Sequence, residues 1–171
     1  MLTETTTSDA GAHDGDSARA ARQRARRVLI RDAALRLFAA RGYDAVTVDD
    51  IAAEAYVSRR TFFRYFAAKD AVLFGGHQED LAAFSALIDD GMAEGLAGFA
   101  AVKRAFLAMA PALERDREAM VLRQSIVDAA PTLKARDSLQ DAEWEQAISA
   151  VLRAGGWPEF DANVAAGAVV G

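Results

Sequence analysis

The sequence predicts an all-α protein, on three observations. Alanine supplies 40 of the 171 residues against three prolines, apolar residues recur at helical spacing along most of the chain, and no stretch alternates as a half-buried strand would. A hydrophobic fraction of 52% and a charged fraction of 26% suit one compact domain or two small ones, with a core burying roughly 70% of the unfolded chain's surface.

Residues 1–17, rich in Thr, Asp, Gly and Ser, hold too little apolar surface to offset ordering entropy and are expected to be a disordered acidic tail. Helix 1 is expected over about 20–41, where Val28, Ile30, Ala34, Leu37 and Phe38 recur at helical spacing and Gly42 follows Arg41 as a left-handed C-cap. Arg19, Arg22, Arg24, Arg26 and Arg27 crowd its start. Thr47 begins a short second helix, TVDDIAAEA, with Asp50 three residues on as the capping-box acid, and Ser58 begins a third, SRRTFFRYF. Two short helices across a tight turn, packed under a longer first one, form the three-helix arrangement of helix-turn-helix DNA binders. Ile51, Ala52, Ala55, Phe62 and Phe66 are the inward positions, which leaves Arg59, Arg60, Thr61, Phe63 and Arg64 on the other surfaces.

Beyond Lys69 the chain reads as helix almost to Gly171. A fourth helix, about 69–91, carries Leu73, Phe74, Leu81, Phe84, Leu87 and Ile88, with Gly75 and Gly76 inside it as a place to bend. A fifth, about 97–114, carries Phe99, Val102, Phe106, Met109 and Leu113 and is kinked or ended by Pro111. A sixth is expected over about 116–129, a seventh over about 132–154 closing at Gly155-Gly156, and an eighth opening at Pro158.

Composition excludes several kinds of function. Cysteine is absent and histidine is limited to His13 and His77, which removes disulfides, thiol nucleophiles and Cys zinc sites, and leaves little for a Ser-His-Asp or multi-His metal enzyme. No phosphate loop or paired-carboxylate motif is present, so no enzyme, metal or cofactor is expected. No run approaches the ~18 apolar residues of a membrane span, and no signal-peptide pattern opens the chain, so a cytoplasmic protein without membrane association is expected. The net charge of −5 conceals its distribution: −4 over residues 1–17, +6 over 18–70 and −7 over 71–171. A basic block followed by an acidic helical block indicates modules with different partners.

Residues 28–74, above all ALRLFAARGYDAVTVDDIAAEAYVSRRTFFRYFAAKDAVLF, resemble the DNA-binding domain of TetR-family transcriptional regulators. The match covers the Arg41-Gly42-Tyr43 end of helix 1, Thr47, Ile51-Ala52, the Val57-Ser58 turn, and Thr61 to Phe66 followed by Lys69. RRTFFRYF together with PTL and Trp144-Glu145 further resembles the actinobacterial branch with an acyl-CoA-like ligand-binding C-terminal domain. The resemblance implies a homodimer on a palindromic double-stranded DNA operator, with helix 3 of each subunit in a major groove, about 34 Å apart. It implies a helix-turn-helix domain at 18–68 and a helical ligand-binding and dimerisation domain at 69–171. A small hydrophobic or acyl effector, acyl-CoA-like if the branch resemblance extends to the ligand, would release a repressor from its operator.

Arg59 and Arg60 at the start of helix 3 can fork onto guanine edges. Thr61, Arg64 and Tyr65 match family positions that hold phosphates, and Thr47 and Lys69 match positions that meet the backbone. Two positions depart from the pattern: Tyr56 stands where the family has Gly, and Phe63 where it has a phosphate-bonding Tyr. The Arg19–Arg27 arm could reach adjacent backbone or minor groove, or be an exposed helix start. His77, Phe84, Phe106, Arg123, Gln124 and Trp144 are the candidate effector contacts. For the aromatic residues the alternative is plain core, for His77 a partly buried ring bonded to a carboxylate or backbone, and for Arg123 and Gln124 a solvent face. The competing reading of the whole is an all-helical small-molecule-binding protein or enzyme whose basic segment does not read DNA. The uncharged stretch from Ala162 to Gly171, set against the further dimer-forming helices that the resemblance implies, points to a chain cut within helix 8 or dimerising differently.

Overall fold

The computed structural model describes residues 10–170, and side chains from 18 onward. Among the described residues there are eight helices and no strand: α1 (Ala10–Arg41), α2 (Val48–Glu54), α3 (Arg59–Tyr65), α4 (Ala71–Phe74), α5 (His77–Ala93), α6 (Phe99–Ala129), α7 (Pro131–Ala154) and α8 (Glu159–Val170). The all-α expectation holds, with three corrections to the elements.

α1 starts at Ala10 rather than near residue 20, so residues 10–17, expected in a disordered tail, lie on helix; residues 1–9 fall outside the described part. Once nucleated, a helix gains a hydrogen bond per added residue, and no proline stands in its way before Arg41. The expected fourth helix is two, α4 and α5, because Gly75 is extended (φ −78, ψ 132) and Gly76 is left-handed (φ 114). Gly75 admits no side chain, since a Cβ there would lie 2.5 Å from the Ala71 carbonyl and 2.8 Å from the Arg27 guanidinium. The expected fifth and sixth helices are one, with Pro111 inside α6. The bond Pro111 cannot donate belongs to the carbonyl of Leu107, a residue 64% exposed, so water can take the proline's place.

Two cores hold the helices together. The first takes Ile30, Leu35 and Phe38 from α1, Ile51 from α2 and Phe62 from α3, with Phe66 and Val46 beside them, then Val72, Leu73 and Phe74 from α4. It continues into Ile126 and Val127 of α6 and Leu133 of α7. Each such side chain contributes about 1.5–3 kcal/mol when fully buried. The second core packs Phe84 and Ile88 of α5, Val102 and Ala105 of α6, Ile148 and Leu152 of α7, and Ala162 and Ala166 of α8. α6, about 46 Å long at 1.5 Å per residue, therefore has one end in each core. At the far end, Gly98 and Gly155 let the α5–α6 and α7–α8 connections touch backbone to backbone, beside the stacked rings of Phe99 and Trp157.

Candidate nucleic-acid interface

The helix-turn-helix unit is built from α2, a tight turn and α3. Thr47 and Asp50 form a complete capping box: the Asp50 amide donates to Thr47 Oγ1 at 3.1 Å, while the Thr47 amide and hydroxyl donate to Asp50 Oδ2 at 2.8 and 2.6 Å. Arg41 adds a bond to Asp50 Oδ1 at 3.2 Å. The Thr47 hydroxyl, then its amide, then Arg41 hold the Asp50 carboxyl down from 3.8 to about 2. α2 ends at Ala55, where the Val57 amide reaches back to the Ala52 carbonyl and Tyr56 takes the left-handed conformation, φ 52. The resemblance places Gly at this position, and the structure shows why. Ser58 then caps α3, accepting from the Thr61 amide at 3.1 Å.

Burial fixes which face of α3 points outward. Ile51, Ala52, Ala55, Phe62 and Phe66 are all buried, as the spacing predicts, and Phe62 stacks obliquely on Phe66 with centroids 5.7 Å apart. Arg59, Arg60, Phe63 and Arg64 are left exposed. Arg59 is oriented from both sides, by Asp49 at 2.8 Å and by the Phe63 ring 5.5 Å from its guanidinium. Arg64 lies 5.0 Å over the Tyr65 ring and donates to its hydroxyl at 3.3 Å. Arg60 makes no ion pair among the described residues.

The other predicted contacts are more occupied. The Thr47 hydroxyl donates within its capping box, and Thr61 Oγ1 lies 2.9 Å from Ser58 Oγ. Lys69 turns inward, donating to the carbonyls of Tyr43 and Val46 at 2.8 and 2.9 Å, with its ammonium 4.1 Å from the Tyr43 ring centroid. Its charge ties α3's exit to the α1–α2 loop, which leaves one ammonium hydrogen for a phosphate. The role of Asp49 in steering Arg59 is not readable in the sequence, because their separation follows the path of the turn and no helical period.

Of the candidate effector contacts, four come together. Phe84 meets Phe106 and Trp144 at centroid distances of 5.2 and 5.3 Å, Trp144 meets Phe106 at 6.5 Å, and His77 sits edge-on to Trp144 at 6.2 Å. His77 Nε2 and Gln78 Nε2 each lie 2.8 Å from Glu143 Oε2. Arg123 and Gln124 stand apart from this cluster, at the junction with α4. Arg123 donates to the Leu73 carbonyl at 2.8 Å, to Asp137 at 2.6 Å and to Gln124 at 3.1 Å. Its guanidinium also covers the Phe74 ring at 5.1 Å, with Arg136 near the same ring at 5.0 Å.

Residues 30–74 match the model of the bacterial regulatory proteins of the tetR family. A protein of Mycobacterium tuberculosis (strain ATCC 25618 / H37Rv), named for a role as mycofactocin biosynthesis transcriptional regulator, MftR, is 34% identical over 129 residues, 74% of this chain and 65% of that protein. The chain thus spans just under two thirds of that relative's length. The crystal structure of a TetR-like transcriptional regulator from Rhodococcus sp. RHA1 is similar with a TM-score of 0.51 and 23% identity, over 85% of this chain and 78% of that one. The structure of Thermus thermophilus FadR, a TetR-family transcriptional repressor in complex with lauroyl-CoA, is similar with a TM-score of 0.48 and 27% identity, over 74% of this chain and 66% of that one.

Proposed function

We propose that the chain, whose residues 30–74 match the model of the tetR family of bacterial regulatory proteins, is a ligand-responsive transcriptional regulator, a repressor that reads duplex DNA with α3. The observation that carries the reading is the division of α3. Phe62 is fully buried, while Arg59 and Arg60 stand out at the Ser58-capped N-terminus and Arg64 in the last turn. Arg59 and Arg60 are the base readers, each bidentate contact with guanine giving about 1–3 kcal/mol of discrimination. Arg64, Thr61, Tyr65 and Phe63 line the backbone side, and Thr47 and Lys69 hold the reader's frame next to it.

A homodimer would place two α3 helices about 34 Å apart on a palindromic operator. The proposed effector is small and hydrophobic or acyl, taken up among α5, α6 and α7 near Phe84, Phe106, Trp144 and His77. It acts by binding the released state better than the DNA-bound one. Such a protein works in the cytoplasm, with the DNA; no helix among the described residues is long and apolar enough to cross a membrane.

Fluorescence anisotropy with the DNA upstream of the chain's own gene, against a scrambled duplex of equal length, tests the proposal. Arg59→Ala with Arg60→Ala is expected to weaken specific binding at least tenfold and leave the thermal melt in place, since both side chains are exposed. Equal affinity of the wild-type chain for the two duplexes overturns it.

A further inference from the structure

Residues 19–27 of α1 run past the end of α3. A groove of about 1190 Å³ lies between this part of α1 and the end of α3, lined by all five arginines of 19–27 and by Arg64 and Tyr65 of α3. None of the described residues that line it is acidic. Arg19, Arg22, Arg24 and Arg26 are exposed, and none makes an ion pair among the described residues. Arg27, at the inner end, is anchored: it pairs with Glu79 at 3.4 Å and lies 5.3 Å from the Phe66 ring centroid. Arg19, Arg22 and Arg26 fall within about 60° of one another around the helix, and a row of guanidinium groups on one face repels itself unless a polyanion is present.

We propose that this groove is a second DNA-binding site, in which the arm of α1 clamps the phosphate backbone next to the segment read by α3. The inference rests on the DNA-reading role of α3 and adds a partner surface to it. Arg64 and Tyr65 belong both to α3 and to the lining of this groove, so a strand leaving the groove read by Arg59 and Arg60 would pass directly into the arm. From Arg27 to Arg19 the helix rises about 12 Å at 1.5 Å per residue. Measured along the duplex axis, that is the rise over three or four phosphates of one strand at about 3.4 Å each. Guanidinium suits the task because its planar fork binds phosphate oxygens in pairs. The occupant reads no sequence here, so the site adds affinity and footprint and leaves base preference to α3.

The test uses the full chain and a duplex enriched by it from a randomised library, prepared as the enriched core alone and as the core with ten flanking base pairs on each side. Arg19→Ala, Arg22→Ala and Arg26→Ala are combined in one variant; alanine keeps the helix, and the three lie outside the anchoring interactions of Arg27. The variant is expected to bind the long duplex at least tenfold more weakly. Its log–log salt slope should fall by about 0.9 for each phosphate that it no longer neutralises, while its affinity for the short core and its base preference stay unchanged. The matching triple Lys variant should keep most of the slope. A variant with the wild-type slope and affinity on the long duplex overturns the arm's role alone. Failure of the wild-type chain to enrich any sequence overturns the reading of α3, and this site with it.

Discussion

Arg123 of α6 donates its Nε hydrogen to the main-chain carbonyl of Leu73, 50 residues earlier, at 2.8 Å. α4 offers its last carbonyls to nothing further along its own helix, and the second half of the chain takes them up: Arg123 at Leu73, and Gln140 of α7 at Phe74, 3.1 Å away. Arg136 of α7 holds Asp70 at the other end of the same short helix. Replacing Arg123 with Met should lower stability by about 2–3 kcal/mol, because a charge-assisted bond disappears and Asp137, 14% exposed, loses its ion-pair partner and keeps only Gln124. Urea denaturation measures it. Adding Asp137→Leu should recover part of the stability, and no recovery would mean that the carbonyl bond outweighs the ion pair.

Tyr56 holds φ 52 with 93% of its surface exposed. Its side chain packs on almost nothing, so Tyr56→Gly should relieve left-handed strain and stabilise the chain by about 0.5–1 kcal/mol. Tyr56→Ala should be close to neutral. A thermal melt that falls with glycine would show that the ring contributes more than the backbone costs.

Gly155→Ala should cost about 1–3 kcal/mol, since the new Cβ would lie 2.6 Å from the backbone nitrogen of Gly98, which cannot step aside as a side chain can. Gly42→Ala is the comparison: φ is +80 but nothing lies within 4 Å, so only conformational strain of about 1 kcal/mol applies. Calorimetric melts of the two variants should rank Gly155→Ala as the more damaging.

Asp50 gives the chain a defined acid response. Its carboxyl titrates at about 2 in the folded state against 3.8 ordinarily, so the capping box stabilises fully above the ordinary value and is lost as pH falls towards about 2. Chemical denaturation of wild type and Asp50→Asn across pH 2 to 7 should give parallel curves above about 4. They should converge below it, as the wild type protonates. Curves that stay parallel to the lowest pH would assign the acid response to other carboxylates.

What the sequence reveals about this molecule follows the range of the interactions. Thr47 with Asp50, and Ser58 with Thr61, are three residues apart, and helical spacing alone turns Ile51, Phe62 and Phe66 inward. The caps and the inward face of the helix-turn-helix unit are therefore legible in the sequence, whereas the inward turn of Lys69 and the pairing of Asp49 with Arg59 are not. Gly75 and Gly76 are visible as a weak point, but whether glycines bend or break a helix depends on neighbours such as Arg27, brought in from elsewhere in the chain. Pro111 marks a stop that local rules favour and solvent exposure cancels. The polar residues of α6 are the hardest to interpret from spacing: Arg123 and Gln124 read equally well as effector anchors or solvent face. In the structure Arg123 bonds to Leu73 and Asp137 on other helices, a role that spacing along α6 does not reveal.

Val72, Leu73 and Phe74 share one buried cluster with Ile30 and Phe62 on one side and with Ile126, Val127 and Leu133 on the other. The three-helix reader thus owes part of its interior to residues more than fifty positions further along the chain. Melting α6 and α7 would therefore uncover part of the interior of the three-helix unit, while the second core, built from α5 to α8 alone, does not depend on that unit in return. A fragment holding only the reader would begin with an open apolar face where α6 and α7 now lie.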